Sequence, residues 1–159
     1  MLVRALTASG GGGENRQYLL KDGQFQSGFS MSNTNRKPSG WGGTAEAPTV
    51  TAESDSIHLV ERSGRQGGYN ADNTVNMVGK EYLVIVMKGT VSTTDNSQIG
   101  ISTSSTSYNL CAPFPLGAYT NSSLYYGILV DLSQYQGDYY IMLGINSATN
   151  VYLKDIYLI

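Results

Sequence analysis

From Tyr18 to the last residue the chain is a succession of short apolar runs, each closed by a cluster of turn-forming residues. The clusters are "SNTNRKPSGWGG", "RSGRQGGYNADN", "STTDNSQ", "APFPLGAYTNSS" and "NSATN", dense in Gly, Pro, Asn, Asp and Ser. These residues admit the backbone angles and local hydrogen bonds that reverse a chain. The runs between them predict strands over 17–21, 25–31, 48–52, 56–61, 81–91, 97–103, 124–131, 138–146 and 151–158. No stretch sustains the 3.6-residue apolar period of a helix, so helices are confined to single turns. Short strands at this spacing predict an all-β fold, a single antiparallel jelly-roll β-sandwich over residues 17–159.

Composition agrees. Charged residues are 14 %, where soluble domains carry about 25 %. Of the aromatic residues 12 are Tyr, against 3 Phe and 1 Trp. The net charge of −2 supplies no basic field for nucleic acid or for an anionic membrane. No apolar run reaches the roughly 20 residues that span a bilayer, so neither membrane insertion nor a nucleic-acid partner is expected. The start, "MLVRALTASGGGG", holds too short an apolar stretch for a secretory signal. Residues 1–16 read as an N-terminal arm, with "LVRAL" as one short strand and the glycine run as a hinge that loses too much entropy to order. Such an arm is either a disordered terminus or a tail that docks on another protein. Cys111 is the sole cysteine, which excludes an internal disulfide and fits a small core residue.

Three runs depart from simple strand patterning. "EYLVIVM" (81–87), "LYYGILVDL" (124–132) and "YYIMLGI" (139–145) are apolar on both alternating sets. A sandwich strand with one wet face alternates apolar and polar residues, so these predict a second covered face. Side by side they would expose Tyr125, Leu129, Tyr140 and Met142, with Leu83 or Ile85, as one patch. That patch would exceed the few hundred Å² that monomers commonly leave bare, and it predicts self-association, a trimer being expected. The arm is the alternative cover. Between two of the runs lies "DLSQYQG", a strand-to-strand corner. There Asp131 or Ser133 would cap a single helical turn, Tyr135 fold back on the sheet edge, and Gly137 take positive φ.

The residues offer little for catalysis. His58, the sole histidine, sits in "SIHLVER", where alternation sets it opposite Ile57 and Leu59, and no Gly-x-Ser-x-Gly elbow surrounds any serine. One His and one Cys exclude a zinc site of nitrogen and sulfur ligands. No pair of carboxylates is singled out for glycoside hydrolysis, and "GRQGG" and "GGGG" lack a following helix and Lys-Ser/Thr for phosphate. The expectation is a protein with no catalytic residues and no cofactor. Saccharide binding fits better, because sugar rings stack on aromatic faces while amides meet their hydroxyls. Trp41 in "SGWGG", Tyr69 with Asn70 in "GGYNADN", and Tyr119 with Asn121 in "AYTNSS" set aromatics beside amides in loops. The alternative for each ring is a structural place in the core.

Three segments carry a resemblance. "YLLKDGQFQSG" with "SGWGG" (18–28 and 39–43) resembles the opening of galactose-binding-like jelly rolls and carbohydrate-binding modules. "DLSQYQGDYYIMLGINS" resembles their Asp-Leu-Ser-x-Tyr-x-Gly corner, and "VYLKDIYLI" their closing strand. The resemblance implies that "YLLKDG" and "VYLKDIYLI" are adjacent antiparallel strands. It also implies a structural calcium held partly by the position of Gln26 and by Asp155. The Gln in place of Glu, and Lys154 in place of an acid, weigh against that metal, which needs carboxylate oxygens. A looser likeness, in the arm and the Ser/Thr/Asn-rich loops, is to bacteriophage virion proteins: fibre tips, decoration and receptor-binding modules. Two readings of function follow. One is a non-catalytic virion structural or attachment protein that contacts host-surface glycan and docks on other virion proteins through residues 1–16. The other is an extracellular carbohydrate-binding module of a secreted glycoside hydrolase.

Overall fold

A computed structural model describes residues 15–90, 98–108, 111–115, 122–146 and 149–159. The arm expected over 1–16 lies almost wholly outside these residues, as do Tyr119, Asn121 and the side chain of Cys111. The described chain is all strand and turn. Its strands are β1 (Gln17–Lys21), β2 (Gln24–Phe25), β3 (Met31–Thr34), β4 (Thr44–Ala45), β5 (Thr49–Ala52), β6 (Ile57–Val60) and β7 (Arg65–Ala71). They continue as β8 (Val75–Asn76), β9 (Tyr82–Thr90), β10 (Gln98–Ser102), β11 (Cys111–Pro115), β12 (Ser122–Asp131), β13 (Asp138–Ile145) and β14 (Asn150–Leu158).

Two sheets face each other. The first runs β12-β9-β14-β1-β2, with β6 also beside β14 and β5 beyond it; the second runs β11-β10-β13-β7-β3, with short β4 and β8 at its margins. Every pairing is antiparallel except β4 on β7. β14 is the spine of the first sheet. It lies along β9 on one side and meets β6 and then β1 on the other. The expected neighbours "YLLKDG" and "VYLKDIYLI" are therefore paired, with Tyr18 opposite Tyr157. The β1–β2 hairpin turns on Asp22-Gly23, at φ 47° and 72°. A two-residue loop with positive φ at both positions matches the twist of the flanking strands. Gly23 is also pressed onto the chain, since a Cβ there would stand 2.5 Å from the Ser56 nitrogen.

Alternation sorts each strand into a core set and an outer set. Leu83, Ile85 and Met87 of β9, Ile128 and Val130 of β12, and Leu153 and Ile156 of β14 are buried facing Ile99, Ile101, Ile141, Leu143 and Ile145 of the second sheet. Each buried aliphatic side chain contributes about 1.5–3 kcal/mol relative to exposure, which is what holds the layers together.

The "DLSQYQG" corner carries the chain from one sheet to the other. It is a hydrogen-bonded turn, with no helical turn: Tyr135 N donates to Leu132 O at 2.8 Å, and Ser133 N to the Asp131 carboxylate at 2.8 Å. Tyr135 is half-buried, edge-on to Tyr139 with ring centroids 6.1 Å apart. Gly137 does not take positive φ, because Gln136 does the tightening, donating to Leu132 O (2.9 Å) and accepting from Gly79 N (2.7 Å). The same corner overturns the expected self-association patch. β9 and β12 pair, but β13 lies in the other sheet. Tyr125 and Leu129 are thus on one sheet and Tyr140 and Met142 on the other, and the trimer loses the geometry on which it rested.

Candidate functional site

The outer face of the second sheet carries glycines at its centre. One register row reads Gln98, Gly144, Gly68, Thr34, and the next Gly100, Met142, Asn70, Ser32. Glycine in a strand interior marks a place where another group approaches the backbone. Here the group is a ring. A Cβ at Gly68 would stand 1.8 Å from Tyr108 Oη, and one at Gly144 would stand 3.2 Å from Trp41 Cη2 and 3.6 Å from the Tyr108 ring. The paired glycines let Tyr108 and Trp41 lie close against the sheet.

Asn70 fixes Tyr108. Its Nδ2 donates to Tyr108 Oη at 2.8 Å, and the hydroxyl lies 3.2 Å from Asn70 Oδ1. Burial pushes the Tyr108 hydroxyl above the ordinary tyrosine range, so it remains a protonated donor. Lys37 fixes Trp41. Its ammonium donates to the carbonyls of Trp41 (2.6 Å), Gly42 (3.1 Å) and Gly43 (3.0 Å), gathering the loop that carries the indole. Two hollows open beside the rings. One of about 390 Å³ is lined by Lys37, Pro38, Ser39, Trp41, Gln98, Thr106, Ser107 and Tyr108. The other, of about 260 Å³, is lined by Ser32, Asn33, Thr34, Arg36, Asn70, Ala71, Asp72 and Ser105. Amides, hydroxyls and two rings along an open trough are the equipment for stacking on and hydrogen-bonding a polyhydroxylated chain.

Two of the sequence candidates, Trp41 and Asn70, meet in this trough. Tyr69 does not: alternation turns it inward, where it is 3 % exposed, and burial pushes its hydroxyl up to about 12. Tyr119 and Asn121 lie outside the described residues. The reading of the residues missed Tyr108, Gly68, Gly144, Lys37 and Gln98. The interior glycines of "RQGGYNA" and "YYIMLGI" were the available signal.

The calcium candidates do not fit a metal. Gln26 bonds to Gln24 O (3.0 Å), and the Asp155 carboxylate accepts from Asp22 N (2.8 Å). The nearby acids Asp22 and Asp55 hold the Lys154 ammonium instead, at 2.7 and 3.3 Å, and their bonds raise its pKa to about 12. Among the described residues no group of three or more His, Cys, Asp or Glu could hold a metal ion. His58 stands on the outer face of the first sheet, stacked on Tyr152 with ring centroids 4.2 Å apart and bonded to Asn150 at 2.6 Å.

The fold defines a class of architecture: this is a jelly-roll β-sandwich, similar in fold to carbohydrate-binding modules. The particular likeness is to family 29 carbohydrate-binding modules. A point mutant of CBM29-2 complexed with mannohexaose superposes with a TM-score of 0.57 at 11 % identity, covering 91 % of this chain and 90 % of that one. Another CBM29-2 mutant gives 0.55 at 12 % identity, with 91 % of each chain covered. A further family 29 module gives 0.55 at 10 % identity, over 91 % of this chain and 87 % of the other. By sequence, no protein family and no curated protein matches the chain.

Proposed function

We propose that this chain is a non-catalytic glycan-binding module whose trough on the second sheet takes a stretch of extended polysaccharide. The observation that carries the reading is the pairing of Gly68 and Gly144 beneath Tyr108 and Trp41, which lets two half-buried rings lie flush against the sheet along the trough. The likeness to a module complexed with mannohexaose, and to another mutant of it complexed with cellulohexaose, supports the same reading. An extracellular setting suits such a module. The attachment reading, with the chain on a virus particle, uses the same trough on a host glycan. Its distinguishing element is the arm, whose residues 1–14 lie outside the described ones, so the module reading stands first.

Calorimetric titration with mannohexaose and cellohexaose tests the proposal. Binding of either, lost in Trp41→Ala while the thermal melt is retained, is the expected result. Absence of binding to these and to a panel of other plant and bacterial polysaccharides would overturn it.

A further inference from the structure

Each of the two hollows of the trough is lined by a cation that makes no ion pair among the described residues. Lys37 and Arg36 are consecutive, yet they diverge. Lys37 turns down onto the carbonyls of Trp41, Gly42 and Gly43, so all three of its ammonium donors are occupied by neutral oxygens. Arg36 is exposed, its backbone N donates to Thr34 Oγ1 at 3.2 Å, and it lines the hollow that holds Asn70 and Asp72. Neither side chain makes an ion pair among the described residues, whereas Arg62 and Arg65 pair with Glu46, and Lys154 with Asp22 and Asp55. No acid lines the Lys37 hollow. The one acid of the Arg36 hollow, Asp72, accepts from Ser30 Oγ at 2.5 Å, keeps its negative charge, and makes no ion pair with Arg36. Counted together, Arg36, Lys37 and Asp72 leave the trough net positive by one charge in a chain of net charge −2.

We infer that the trough is adapted to an acid-bearing glycan, a polysaccharide with uronate carboxylates, with Arg36 as the contact and Lys37 as a positioning residue. This rests on the glycan-binding reading above and narrows it. Lys37 has no donor left for a ligand, so it acts through Trp41, holding the indole over Gly144. Arg36 has all of its guanidinium donors available, in the planar fork that matches a carboxylate.

The test compares hexagalacturonate with mannohexaose, of equal length, by titration calorimetry at low and high salt. The acidic hexasaccharide is expected to bind about ten-fold or more tightly at low salt, the range of a charge-assisted hydrogen bond, and the preference to shrink as salt rises. In Arg36→Gln the ratio of the two affinities should fall to near one. In Lys37→Met both ligands should weaken together, with a red shift in the emission of Trp41, the chain's sole tryptophan; Lys37→Arg should restore much of both. Equal or tighter binding of mannohexaose, or an unchanged ratio in Arg36→Gln, would overturn the acid-bearing class while leaving glycan binding intact. Binding of neither hexasaccharide, nor of any other polysaccharide, would remove the glycan reading and this one with it.

Discussion

On the outer face of the first sheet, His58, Tyr152, Lys88 and Tyr125 stand in a row and pack on one another; on the outer face of the second, Gly144 and Gly68 lie buried beneath two rings. In the first row Lys88 pairs with Tyr152 across β9 and β14, and Tyr152 with His58 across β14 and β6. The imidazole stacks on Tyr152 at an interplanar angle of 5°, and the Lys88 ammonium sits 4.5 Å from the Tyr125 ring centre and 5.4 Å from that of Tyr152. Tyr18 and Arg16 close over Tyr157 in the same manner further along. Every ring face there already has an occupant. The second sheet instead holds two half-buried rings, Tyr108 and Trp41, over glycine backbone, with hollows beside them. A face that covers itself needs no partner, and a face that keeps glycines where side chains could pack is kept for something else.

The largest test of this contrast uses one strand that serves both sides. β7 sends Tyr69 into the core and Asn70 and Gly68 outward. Tyr69→Ala should cost about 3–5 kcal/mol in a urea or thermal unfolding experiment, as large aromatic truncations in cores do. A Tyr69→Ala variant that kept its stability but lost saccharide binding would put this ring in the trough and break the assignment. Next in size is Gly68→Val. Its side chain needs the space of the Tyr108 hydroxyl, so the ring must leave and the trough lose its wall. Calorimetry should show saccharide binding weakened beyond about a hundred-fold, with unfolding shifted by only about 1–3 kcal/mol of overpacking.

How much of this was legible without coordinates depends on which residue is asked. The sandwich was legible because turn clusters and strand-length runs are local signals, whereas the β1–β14 pairing was implied by the resemblance of both terminal segments to galactose-binding-like jelly rolls. The patch of Tyr125, Leu129, Tyr140 and Met142 was misplaced for a nonlocal reason: a corner in a jelly roll can move the next strand to the opposite sheet, and no period in the sequence records that. Doubly apolar strands then mean two different things. In β9 and β12 the outer set is covered by rings and alkyl chains of the same sheet, and in β13 it includes the glycine of a trough. The glycines and asparagines around Tyr69 and Asn70 read as a loop, yet both residues lie in a strand, where adjacent side chains point to opposite faces. Of that pair only Asn70 faces the trough, where it bonds to Tyr108.

Tyr152→Ala sharpens the contrast from the other side. It removes the ring between His58 and Lys88, and the expected loss is about 1–2 kcal/mol of stability from packing and cation–π contact together. Saccharide affinity should not change. The smallest effect is electrostatic, at the rim of the first sheet. Lys154 has its pKa raised to about 12 by Asp22 and Asp55, so its contribution is complete below the ordinary lysine value and fades as pH rises through 12. Asp55 is held below its ordinary range chiefly by Lys154, so its contribution is present at neutral pH and fades as pH falls through that lowered value. Lys154→Met should flatten the melting temperature in both windows by an amount worth less than about 1 kcal/mol, the scale of a surface ion pair. A melting profile unchanged by the substitution would mean that the three groups do not interact in solution.

Backbone amide shifts followed during titration with a bound hexasaccharide test the central claim most directly, because each outer face is read separately. The account predicts perturbations at Gly68, Asn70, Gly144, the Trp41 indole and its loop, with Lys88, Tyr152 and His58 unmoved. Shifts gathered on Lys88, Tyr152 and Tyr125, with Gly68 and Gly144 silent, would contradict it.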